Sequence, residues 1–187
     1  MNFSSAAARA AFLAALVLPA AVSAQTMDFA CPAPGTTFTY DSGTKVIAKG
    51  RDGWTCLMEN VGGKPYKLSA LLFDNPAAGG KDMSAFIAAI KPERLFPLQI
   101  GKKIEADYSA DGRTWHYVLS VAKHEEREGP DGRLVDAFLV EMTEQGPKNE
   151  RGVSRWWIAP AYNYAIRFDY SDGAGTANRA LVTSIKR

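Results

Sequence analysis

Two histidines and two cysteines are the whole stock of imidazole and thiol metal ligands in this 187-residue chain. His116 and His124 would lie about 26 Å apart on one extended strand, too far to share an ion. Single turn acids such as Asp131-Gly132 and Asp172-Gly173 form no spaced oxygen cage for calcium. Neither a metal nor a cofactor is therefore expected. No Gly-x-Ser-x-Gly occurs, and Gly173-Ala174-Gly175-Thr176 lacks the later glycine and the lysine of a phosphate loop. Charge of neither sign dominates, with 22 Lys+Arg against 20 Asp+Glu, so the chain carries no basic footprint for nucleic acid. A hydrophobic share of 47% with 22% charged residues excludes wholesale disorder. Beyond residue 24 no apolar run is long enough to span a bilayer.

What is present begins with an address. Arg9 precedes an apolar run from Ala10 to Val22, which closes with Val22-Ser23-Ala24, small residues at the positions a signal peptidase reads. The run is about 13 residues, short of the roughly 20 that a membrane-spanning helix needs. Residues 1–24 read as a signal peptide cleaved after Ala24, and residues 25–187 as a single exported, periplasmic domain. Cys31 follows Asp28-Phe29-Ala30, which is not the apolar approach of a lipidation signal. Export makes a Cys31–Cys56 disulfide the expected state of the two thiols, closing a loop worth roughly 3 kcal/mol.

The exported part reads as about nine or ten short strands joined by turns, with one helix. Thr36–Tyr40, Lys45–Ala48 and Trp54–Glu59 alternate with Asp41-Ser42-Gly43 and Gly50-Arg51-Asp52-Gly53 turns. They form the core of a disulfide-stapled ribbon over 25–74. Phe86, Ile87 and Ile90 share a helical face over Ser84–Ile90, with Asp82 or Ser84 as cap and Pro92 as stop. A main sheet is expected over 95–187, with strands at Ile104–Tyr108, Trp115–Val121, Leu134–Met142, Ser154–Ile158, Tyr162–Tyr170 and Ala180–Ile185. The charged stretch Lys123–Arg133 reads as a connector. On Tyr162–Tyr170, a period of two sends Tyr162, Tyr164, Ile166, Phe168 and Tyr170 one way. The fold class is mainly β: a curved antiparallel meander sheet or half-closed barrel with one short helix.

The block Leu95-Phe96-Pro97-Leu98-Gln99-Ile100-Gly101-Lys102 resembles one found in bacterial exported domains of unknown function, similar to those of alphaproteobacteria. In them Phe-Pro-Leu-x-x-Gly-Lys opens a long antiparallel sheet. Trp115-His116-Tyr117, Ala137-Phe138-Leu139-Val140 and Trp156-Trp157-Ile158-Ala159-Pro160 with Tyr164 match the strands that follow. The resemblance covers about residues 95–170 and implies a sheet-rich periplasmic domain with no catalytic set to carry over.

The remaining lead is aromatic. Trp156 and Trp157 are adjacent, so on a strand their rings face opposite sides. One enters the core; the other is covered by helix or loops, or forms a platform. The expected function is non-catalytic binding of a cell-envelope component through an aromatic-lined sheet surface. Trp115, Tyr117, Trp156, Trp157 and Tyr164 would line it, with Arg155 or Arg167 at the rim. The partner would be a lipid, a glycan or an envelope protein. The rival is a small hydrolase of envelope polymers, working through two of Glu105, Asp107, Glu141 and Glu144.

Overall fold

Turn chemistry sets the hairpins. In the computed structural model, which describes residues 25–77 and 80–187, the chain runs through 13 strands and one α-helix. The signal-peptide reading falls on residues outside those described. The strands are β1 (Thr26–Met27), β2 (Thr37–Tyr40), β3 (Lys45–Asp52), β4 (Thr55–Asn60), β5 (Pro65–Ser69), β6 (Phe73–Asn75), β7 (Leu98–Gln99) and β8 (Lys103–Ala110). They continue as β9 (Arg113–Glu128), β10 (Leu134–Gln145), β11 (Arg151–Ala159), β12 (Tyr164–Ser171) and β13 (Ala177–Lys186). Between β8 and β9 the two-residue loop Asp111-Gly112 has φ of 52° and 72°, the left-handed pair that suits the twist of a tight hairpin.

Eleven strands form one antiparallel sheet in the order β6-β5-β4-β3-β2-β13-β12-β11-β10-β9-β8. The stapled ribbon and the main sheet are thus halves of a single surface, joined where β2 pairs with β13. Cys31 and Cys56 form the disulfide, tying the segment after β1 to β4 with Cα atoms 5.4 Å apart. β6 and β8 are the two edges, and the sheet does not close between them. Helix α1 (Ser84–Ile90) sits in that gap. Its Phe86 meets Phe73 of β6 at 5.4 Å and Tyr108 and Tyr117 of β8 and β9 at 5.5 and 5.1 Å, all edge to face. Asp82 accepts the Ser84 N–H at 2.8 Å, and Asn75 accepts the Met83 N–H at 3.0 Å, which pins the helix start to the sheet edge. Lys91, at φ 52°, and Pro92 end it.

The block at Phe96 has a local structural role. Lys102 Nζ donates to the Phe96 carbonyl at 2.7 Å and to the Pro97 carbonyl at 3.2 Å, closing the turn that leads into β8.

The curved sheet has an inner face packed with Phe38, Met58, Leu119, Phe138, Trp156 and Ile158, all buried. A separate small cluster of Ala137, Leu139, Trp157, Ala159 and Ile166 lies on the outer face. Two elements differ from the sequence expectation. Residues 123–128 belong to β9, because their backbone pairs with β10 from Lys123↔Leu139 to Glu128↔Leu134. Alternating charges hide such a strand from a hydrophobic reading. On β12 the register slips between Trp157 and Ile158, which makes Ile166 the extra residue of a bulge. Ile166 therefore joins the outer cluster while Tyr164 and Phe168 stay with the inner one.

Candidate functional site

A second bulge builds the site. Between Val121 and Lys123 the β9 register slips against Leu139 and Val140, which bends the long β9–β10 hairpin. Its tip, Pro130–Gly132, lies against β13 across the outer face. The tip thereby roofs the outer cluster. Between roof and sheet runs a groove of about 340 Å³, lined by Arg127, Trp157, Ile166, Arg167, Arg179 and Leu181 together with the tip.

Trp157 is the floor. Its indole is 3% exposed, with the Arg127 guanidinium 5.0 Å and the Arg167 guanidinium 4.8 Å from the ring centre. Each cation gains from the ring quadrupole. Trp157 Nε1 donates to Glu125 Oε1 at 2.8 Å, and Arg127 Nε donates to the same oxygen at 2.9 Å. Lys123 Nζ pairs with Glu125 Oε2 at 2.7 Å. Burial pushes the Glu125 carboxyl up, but the hydrogen bonds from Lys123 and Trp157 and the nearby positive charges outweigh it and hold it below the usual range.

Next to this, the register aligns Glu141, Arg155, Asp169 and Arg179 across β10, β11, β12 and β13. The charges alternate along the row. Arg155 Nε donates to Glu141 at 2.8 Å, and Arg167 Nε donates to both oxygens of Asp169 at 3.0 Å. The Asp169 hydrogen bond raises the Arg167 guanidinium above its ordinary range. Arg179 ends the row, and no carboxylate among the described residues pairs with it.

The seven residues expected to share one surface are divided between the two faces. Trp156, Tyr117 and Tyr164 are buried on the inner face, with Trp115 partly buried beside them. Trp156 meets Phe73 and Phe168, and Tyr164 stacks on Phe38 at 3.9 Å. Trp157, Arg155 and Arg167 lie on the outer face. Sequence reasoning missed Arg127 and Arg179. For Arg127 the alternation of Lys123, Glu125 and Arg127 was the available signal; Arg179 stands at the start of a strand with nothing local to single it out.

The four carboxylates considered for hydrolysis are dispersed. Glu105 pairs with Lys103, whose hydrogen bond lowers its pKa, Asp107 with His116 and Glu141 with Arg155. Glu144 alone is on the inner face. It passes over Gly152, where a Cβ would clash with its carboxylate, and accepts the Tyr170 hydroxyl at 3.1 Å. Burial raises its carboxyl, and the Tyr170 bond only partly offsets this.

One inner-face acid was not anticipated. Asp74 of β6 keeps solvent access, yet the protein around it pushes its carboxyl up to about 6. Its neighbours are Tyr40, Tyr66 and Tyr164, and the Tyr40 and Tyr164 hydroxyls lie 2.6 Å apart. Asp74 lies near Tyr164 and Glu144 is bonded to Tyr170, and those two β12 positions are about 20 Å apart along the strand. A glycosidase pair needs about 5–9.5 Å.

No known family's sequence profile matches the chain, and no curated protein is significantly similar in sequence. Among solved structures, the chain is similar to the hypothetical lipoprotein YmcC from Escherichia coli, with a TM-score of 0.45 and 12% identity, over 82% of this chain and 87% of that one.

Proposed function

We propose that this chain is an exported cell-envelope domain that binds a ligand in the roofed groove on its outer face and does no chemistry on it. One observation carries the reading: the groove is a recess in which an apolar floor and converging charged donors meet. Sites of this kind, largely preformed and holding a few placed polar groups, are the common form of small-molecule binding. The inner-face aromatics are spent on packing against each other and α1, whereas the outer-face members Trp157 and Arg167 line the groove. Export is supported by the Cys31–Cys56 bridge, which an oxidising compartment sustains. No helix among the described residues is long and apolar enough to cross a membrane.

The test is native mass spectrometry of the protein from a periplasmic extract, beside a Thr183→Trp variant. Thr183 is exposed at the groove, so the indole fills the recess without entering the core. The natural chain is expected to carry an adduct that denaturation removes and that the variant lacks. A natural chain that arrives bare, or an adduct kept equally by the variant, would overturn the reading.

A further inference from the structure

We infer that the groove takes a monosaccharide-sized organic anion, its carboxylate or phosphate held by Arg179 together with Arg127. This rests on the binding reading above and deepens it.

The groove presents donors without acceptors. A guanidinium has five N–H groups in a planar fork that fits oxyanions. Arg167 directs both Nε and Nη2 to Asp169. Arg127 directs Nε to Glu125 and sits over the Trp157 ring, while its terminal nitrogens are unengaged by side chains among the described residues. Arg179 makes no side-chain hydrogen bond or ion pair among the described residues, although its cross-strand neighbour is Asp169. That carboxylate is already occupied by Arg167. The alternating row Glu141–Arg155–Asp169–Arg179 therefore ends in a cation whose complement is missing, and the end of the row opens into the groove.

The roof does not supply the complement. Glu128 and Asp131 line the groove, but neither pairs with Arg179. Nor does the roof compete for the anion with its own amides: the Gly129 N–H donates to the Arg133 carbonyl at 2.7 Å, and the Gly132 N–H to the Gly129 carbonyl at 3.2 Å. Recognition falls to the arginine side chains. A recess of about 340 Å³ lies at the lower end of small-molecule sites and matches one ring with its substituents, not a polymer segment. Trp157 is buried beneath two guanidiniums, so a ring cannot stack on it, and Ile166 and Leu181 supply the apolar contact.

Calorimetric titration of the exported chain with galacturonate, glucose 1-phosphate and neutral galactose tests this. One or both anions should bind saturably, at least tenfold more weakly in Arg179→Ala, and within twofold of the natural chain in Lys103→Ala, whose ammonium is paired with Glu105 on edge strand β8 away from the groove. Arg179 is exposed, so its replacement leaves the core intact. Binding of galacturonate alone assigns a carboxylate, and of glucose 1-phosphate alone a phosphate. Failure of both anions, equal binding by Arg179→Ala, or galactose binding as tightly as the acids overturns the inference. If the Thr183-dependent adduct is nonetheless found, only the anion is wrong; if it too is missing, the groove reading falls with it.

Discussion

The two faces of this sheet use tryptophan in opposite ways. Trp156, on the inner face, lies among Phe73, Phe168 and the rest of a continuous core that includes both halves of the sheet and α1. Trp157, one residue on, belongs to a cluster of five buried residues under a hairpin tip, and its surroundings are charged. The inner face resembles a domain core; the outer resembles a site, with side chains held by charge-assisted hydrogen bonds and one arginine unmatched. The difference teaches that two almost equally buried indoles can have opposite surroundings, one apolar and one charged.

The largest expected effect belongs to the inner face. Trp156→Ala should destabilise the fold by about 3–5 kcal/mol, read by denaturant unfolding, because a rigid core collapses only partly around the void. Trp157→Phe keeps most of the apolar volume and removes the Nε1–Glu125 bond, so about 1.5 kcal/mol is expected. A loss as large as that of Trp156→Ala would erase the contrast between the faces.

The inner face has one wet end, at Asp74, and pH sharpens the comparison there. Its folded pKa, about 6, lies above the ordinary value of 3.8. The protonated form is thus favoured by folding: its contribution is full below about pH 4 and is lost as pH rises through about 6. Asp74→Asn should flatten that part of the stability profile. Thermal unfolding should show a Tm gain of about 2–4 °C at pH 7.5 and none at pH 4. A gain equal at both pH values would show that the carboxyl is not strained by its surroundings.

The smallest effect is expected along the charge row. Arg155 and Glu141 are both partly exposed, so Arg155→Ala should cost under about 1 kcal/mol. A larger cost in urea unfolding would make the row a stabilising network rather than a surface pattern.

Much of this fold was legible because turns and short-range period carry it. The Asp111-Gly112 hairpin, the Ser84–Ile90 helix and most strands follow from local chemistry. The site was less legible. Trp157 and Arg167 could be picked out by adjacency and by alternation, but Arg127 sits in a strand made of charges, where no hydrophobic period exists. Ile166 defied its own alternation because a bulge adds one residue, and a one-residue slip reverses the face.

By itself the sequence determined a β-rich chain with one helix, two cysteines suited to pairing, and two tryptophans obliged to face apart. Only the tertiary structure decided which tryptophan entered the main core. It also decided that β2 would meet β13 across some 140 residues and that the β9–β10 tip would cover Trp157. The physical reason is the range of the interactions. Backbone period and turn residues act over a few positions, whereas the choice of face depends on which surfaces meet after the sheet curls. That choice was made by long-range pairing and by two bulges whose positions no local pattern marks.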